Sequence, residues 1–165
     1  MFAIDLPALN DVAAAERWRA LGPVMPEDGR PEMDEYGELF LAPLPTNRHQ
    51  RVTSRIGSQI ETAFEGEAIA SLAIITRIGV RVPDMCWTAR PELFQDDPAA
   101  TAPEICVEVA SPGNTQKWLL ERAAAYLDAG ALEAVIVELD GRIRYFDANG
   151  ERPTSVHGLQ LHVTF

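Results

Sequence analysis

Lysine is almost missing from this chain. Its 165 residues include one, Lys117, and 14 basic side chains in all stand against 25 acidic ones, a formal net charge of −11. A surface that acidic on average argues against coating nucleic acid or anionic membrane through bulk charge, although a local site can oppose the average. Cysteine is equally scarce. Cys86 and Cys106 sit in apolar stretches without a CxxC spacing, which speaks against a disulfide scaffold or a zinc site and for reduced core thiols. No apolar run reaches the ~18–20 residues of a membrane span. Residues 1–10 carry Asp5 and neither Lys nor Arg, unlike the start of a signal peptide, so a cytoplasmic protein without a membrane partner is expected. GxSxG, P-loop and GxGxxG motifs are absent, and His49, His157 and His162 lack metal-ligand spacing. His157 and His162 are expected at the surface.

What is present is 47% hydrophobic, and at this length it predicts a single domain over residues 1–165 with its own core. Residues 11–21 read as a helical extension, capped by Asp11 and ended by Gly22-Pro23. Residues 26–36 hold Glu27, Asp28, Glu32, Asp34 and Glu35 among turn formers, and read as a solvated loop. A short strand carrying Glu38 is predicted over 37–41. A second helix follows over 46–64, with Val52, Ile56 and Ile60 at helical spacing. Residues 68–75 and 78–87 predict a pair of strands turning near Arg77, and 91–103 a surface connection. An apolar strand over 105–110 leads through a turn into a third helix, which Gly130 ends. The C-terminal part, 132–165, predicts hairpin strands: 132–139 and 143–146 around Asp140-Gly141, then an alternating last strand over 159–165. The mixture predicts an α/β (α+β) fold, a central mixed β-sheet flanked by helices.

Two acids interrupt apolar strands. In 105–110, alternation puts Ile105, Val107 and Val109 on one face and Cys106, Glu108 and Ala110 on the other. Burying Glu108 there unpaired would cost several kcal/mol, so it needs a cation, hydrogen bonds or solvent. Asp84, inside Val80-Arg81-Val82-Pro83-Asp84-Met85-Cys86-Trp87, poses the same problem. Either acid alone can end on an exposed face. Two on adjacent strands are hard oxygen ligands suited to Mg²⁺ or Mn²⁺, which keep several waters and accept a phosphate oxygen. Such an ion activates water and stabilises charge on phosphorus, and the arrangement calls for a cationic group nearby.

Pro83-Asp84, followed by Glu108-Val109-Ala110-Ser111-Pro112, resembles the PD-(D/E)XK nuclease superfamily and, within it, the Uma-two family of restriction endonucleases. Further matching pieces are Glu27-Asp28-Gly29-Arg30, Gly37-Glu38-Leu39, His49-Gln50-Arg51, Tyr126, Gly130 and Val135-Ile136-Val137. The order and spacing of these pieces over roughly residues 17–147 carry the resemblance. It implies a restriction-endonuclease-like core, divalent-metal hydrolysis of phosphodiester bonds in DNA, and Asp84 with Glu108 as metal ligands. It also implies Glu38 as a ligand acting through water; an exposed strand carboxylate is the other reading. Small nucleases of this fold often cut as pairs, so a homodimer is the implied assembly.

One departure concerns the superfamily's lysine, whose place two residues after the Glu is taken by Ala110. In the Uma-two family the Lys moves to the next helix, four residues before the Tyr, which is Arg122 here. At 100° per residue Leu119, Ala123, Tyr126 and Leu127 form the buried stripe, with Arg122 about 40° from Tyr126 and Lys117 on the opposite side. Arg122 is therefore the expected third catalytic residue. It can neutralise phosphate but stays protonated, so it cannot act as a general base; a surface ion pair with Glu121 or Asp128 is the alternative. The acid-free segments 39–60 and 68–83 hold Arg48, Arg51, Arg55, Arg77 and Arg81. Arg48, Arg51 and Arg55 fall on one helical face. With His49, Arg51 and Arg55 are candidates for binding phosphate; scattered surface ion pairs are the alternative. Should the site lack activity, a catalytically impaired domain serving binding or assembly remains.

Overall fold

The computed structural model describes residues 7–22 and 29–164. The first six residues, Glu27, Asp28 and Phe165 lie outside the described residues. Helix α1 (Asp11–Leu21) is capped by the side chain of Asn10, one residue before the expected Asp11. Strands β1 (Arg30–Met33) and β2 (Leu39–Ala42) form a hairpin, followed by α2 (Asn47–Ala63), whose N-cap is Thr46. Four short strands come next: β3 (Glu67–Ala70), β4 (Ile74–Thr76), β5 (Gly79–Arg81) and β6 (Met85–Thr88). Then follow β7 (Ile105–Val109), α3 (Gln116–Asp128), β8 (Glu133–Val137), β9 (Ile143–Asp147) and β10 (Gly150–Arg152).

The strands form two sheets, β2-β1-β5-β4 and β10-β9-β8-β7-β6-β3. Only β7 and β8 pair in parallel among the described ladders, joined by α3 as the crossover, so the larger sheet is mixed. Ile105, Val107 and Val109 of β7 pack with Val52, Ile56 and Ile60 of α2. On the other face Cys106 and Ala110 meet Tyr126, Leu119 and Ala123 of α3. The strand alternation read from 105–110 is therefore realised, with a helix on each face of the sheet. Cys86 and Cys106 are opposed across β6 and β7 as buried free thiols, Sγ to Sγ 3.8 Å apart.

Three expectations about elements change. The expected solvated loop over 26–36 contains β1, and Glu32 on it is 1% exposed. The run 68–75 is broken at Ser71, a non-glycine residue at φ 55, so β3 pairs with β6 in one sheet and β4 with β5 in the other. Residues 159–164 form no strand, although Leu159 and Leu161 are buried. Side chains of α2 hold this segment instead: Gln59 bonds the backbone of His162 in both directions, and Arg55 donates to the Thr164 carbonyl at 2.8 Å. The sheets join at Val82–Asp84, where the chain leaves β5 and enters β6. Asp84 thus stands in a buried corner between them.

Candidate functional site

Glu108 points to the α3 face because of its parity on β7, and α3 supplies its partners one turn apart. Arg122 donates Nε to Glu108 Oε1 at 2.8 Å, and the Tyr126 hydroxyl donates to the same oxygen at 2.6 Å. Arg122 lies on the inner side of the helix, 3% exposed, as its angle to Tyr126 required. The rest of its guanidinium faces Glu32: Nη1 donates to Oε2 at 2.8 Å and Nη2 to Oε1 at 2.7 Å. Glu32 Oε1 also accepts the Val82 N–H at 2.8 Å. Two buried carboxylates thus flank one guanidinium, a bidentate geometry that suits Arg and not Lys.

Asp84 lies at the other end of the cluster. Its Oδ2 accepts the Val109 N–H at 2.7 Å and lies 3.1 Å from His49 Nε2, which is also 3.1 Å from the Val109 carbonyl. Its Oδ1 accepts a hydrogen bond from Arg30 Nη1. Arg30 Nη2 donates at 2.6 Å to the Val82 carbonyl, which also accepts from Arg122 Nη2 at 3.1 Å. His49 reaches this corner because Thr46 caps α2 and brings its first turn against the end of β7.

Burial sets the electrostatics. It pushes the Glu108 carboxyl up to about 7, against the downward pull of Arg122. Burial works the same way on Asp84, but the His49 hydrogen bond, the Arg30 charge and the Val109 N–H hold it below the ordinary carboxylate range. Burial tends to lower His49; the hydrogen bond and charge of Asp84 outweigh it and raise the imidazole above its ordinary value. Burial likewise works to lower Arg122, but Glu108, Tyr126 and Glu32 raise it well above the ordinary value, so the guanidinium stays charged.

These groups line one cavity of about 470 Å³. Its floor is Arg30, Glu32, His49, Asp84, Glu108 and Arg122, and its wall is apolar, with Phe40, Leu41, Leu44 and Trp118 partly open to solvent. The Trp118 ring lies over the Arg122 guanidinium, 4.4 Å from it, a cation–π contact that closes one side of the charge cluster.

Asp84, Glu108, Arg122 and His49 are brought together; the other candidates are not. Glu38 is exposed in the turn after β1 and does not line the cavity. Arg51 is exposed on α2, Arg55 holds the C-terminal segment, and Arg77 pairs with Asp128 on the surface. Arg81 is buried and donates to the Met33 carbonyl at 2.7 Å, so it adds nothing to a basic surface. The surface ion pair considered for Arg122 with Glu121 or Asp128 is not formed. Glu32 and Arg30, neither of them a candidate from the sequence, also line the cavity. The available signal was the pair of short runs around the Asp34–Gly37 turn, which make a hairpin and put Glu32 inside a strand.

The donor chemistry fits a divalent cation. Asp84 and Glu108 offer hard oxygens to one cavity, and both hydrogen bonds to Glu108 fall on Oε1, leaving Oε2 for a ligand. Among the described residues no group of three or more His, Cys, Asp and Glu is placed to hold a metal. Two carboxylates suffice for Mg²⁺ or Mn²⁺, whose remaining positions go to water and phosphate oxygens.

Comparison with known proteins places the chain in a family and relates its fold to a solved structure. The family described as "Uma2: Putative restriction endonuclease" matches residues 15–159. Among solved structures the chain is similar to "a putative nuclease belonging to DUF820 from Anabaena variabilis ATCC 29413". The TM-score is 0.63 at 18% sequence identity, covering 86% of this chain and 91% of that chain. At that identity the likeness concerns the fold, a mixed sheet flanked by helices. No curated protein matches the chain. No helix among the described residues is long and apolar enough to cross a membrane.

Proposed function

The chain belongs to the Uma2 family, and from that premise we propose that it is a divalent-metal-dependent endonuclease hydrolysing phosphodiester bonds in DNA. The observation that carries this reading is the convergence of Asp84 and Glu108 in one cavity with Arg30, Arg122 and His49. Asp84 and Glu108 would hold Mg²⁺ or Mn²⁺. When bound, the ion supplies Lewis acidity and lowers the pKa of water.

The remaining chemistry belongs to the side chains. Arg122 is a positioning residue: three of its hydrogen bonds fix Glu108 and Glu32, two more reach the Val82 carbonyl and the Tyr126 hydroxyl, and it has no proton to give up at neutral pH. His49, 3.1 Å from Asp84 Oδ2 and raised above its ordinary value by that carboxylate, fixes the orientation of Asp84. Arg51, exposed two residues beyond His49, supplies surface charge for backbone phosphates. With a net charge of −11, affinity for DNA would be weak, metal-dependent and sensitive to salt. A homodimer would bring two such sites to the two strands of a duplex.

The test is Mn²⁺- or Mg²⁺-dependent cleavage of DNA by the wild-type chain and by Asp84→Asn and Glu108→Gln, with circular dichroism to verify folding. Loss of cleavage by folded variants supports the assignment; activity surviving both removes it. A second reading, a binding or assembly domain that keeps the fold, is favoured by one observation: Asp84 and Arg122 are already occupied by partners within the chain. Cleavage gained only in Arg122→Lys would support it.

A further inference from the structure

Arg30 occupies an oxygen of Asp84, one of the two acids that would hold a metal ion. It opens β1, and its guanidinium takes Asp84 Oδ1, while Asp84 Oδ2 is committed to the Val109 N–H and to His49. On the other carboxylate, Glu108 Oε2 is left for a ligand. A cation held by Asp84 would therefore compete with Arg30 for Oδ1. Two cations in contact with one oxygen in a half-buried cavity repel strongly.

Arg30 is also less fully bonded than Arg122. Its Nη1 and Nη2 have one acceptor each, but its Nε is buried and has no hydrogen-bond partner among the described residues. An unpaired buried N–H is a cost that leaving this position would relieve. Its side chain is 18% exposed against 3% for Arg122, and it lines the cavity, so it is the more accessible of the two.

We propose that Arg30 is an exchangeable counter-cation at Asp84: it neutralises this carboxylate when no metal is bound, and a divalent ion enters by displacing it. The inference rests on the metal-dependent reading above and adds what sets the affinity of that site.

Calorimetric titration with MnCl₂ at fixed pH and ionic strength tests it on the full chain, comparing wild type, Arg30→Gln, Asp84→Asn and, as a control for charge alone, Arg77→Gln. Arg30→Gln is expected to bind Mn²⁺ at least tenfold more tightly than wild type, Asp84→Asn at least tenfold more weakly, and Arg77→Gln within twofold. Equal or weaker binding by Arg30→Gln overturns the inference and leaves the metal-dependent reading standing; an equal gain in Arg77→Gln overturns it as well. Absence of Mn²⁺ binding in both wild type and Arg30→Gln overturns both. A measurement on the wild-type chain needs no folded variant: modification of Arg30 by phenylglyoxal, read by peptide mass spectrometry with and without Mn²⁺. Displacement predicts faster modification with the ion present; unchanged or slower modification overturns the proposal.

Discussion

The two arginines of the cavity are opposites. Arg122 is sealed between Glu32 and Glu108, roofed by Trp118, with all three nitrogens bonded. Arg30 is open to the cavity and has one nitrogen unpaired. A guanidinium saturated by buried acids is a structural member whose removal leaves uncompensated charge. One that is half-satisfied at a cavity edge can leave without wrecking the fold. The same residue type thus seals Glu108 and Glu32 in one place and meets Asp84 at the cavity edge in the other.

Substitutions can break this contrast. The largest effect is expected for Arg122→Met, which leaves Glu32 and Glu108 buried without their cation and should cost about 3–5 kcal/mol in urea unfolding. Arg30→Gln should cost far less in the same assay. Comparable losses would make both arginines structural.

A pH series sharpens the contrast between the carboxylates. Glu108, raised to about 7 in the fold, favours folding most when protonated. Its contribution is fully present below its unfolded value near 4.5 and is lost as pH rises through about 7. Asp84, lowered in the fold, behaves oppositely: its contribution is present above its unfolded value and lost as pH falls through the folded one. The melting temperature of wild type should therefore fall relative to Glu108→Gln between pH 5 and 8, and relative to Asp84→Asn only in acid. Parallel curves across both ranges would contradict these assignments.

Smaller effects probe the edges of the cluster. Trp118→Ala removes the roof over Arg122 and should cost about 1 kcal/mol. Arg77→Gln, breaking an exposed pair with Asp128, should change stability by less than about 0.5 kcal/mol.

Much of this site is legible in the sequence where the signal is local. Glu108 stands out as an acid in an alternating apolar strand, and Arg122 because the family resemblance puts its cation four residues before Tyr126, on the flank of the buried stripe. Glu32 is hidden because its cation lies 90 residues away, and because Pro31, Asp34 and Gly37 give its neighbourhood the composition of a loop. The split of 68–75 depends on one backbone angle at Ser71, which a period-two pattern does not register. Residues 159–164 keep the alternation of a strand and bury Leu159 and Leu161, but their backbone is claimed by Gln59 and Arg55. Burial pattern shows which side chains turn inward, not which ladder receives the backbone.

The sequence separations inside the cluster also bear on the order of assembly. Glu108 and Arg122 are 14 residues apart, within one strand–helix unit, whereas Arg122 reaches Glu32 across 90 residues and Arg30 reaches Asp84 across 54. Closing the short loop costs less chain entropy than closing either long one. The Glu108–Arg122 pair is therefore expected early on the route to the native state, already neutral as a unit. Glu32 and Arg30, carried together on β1, then arrive as a second neutral pair when the smaller sheet docks. The site is completed only when the two sheets have closed on each other.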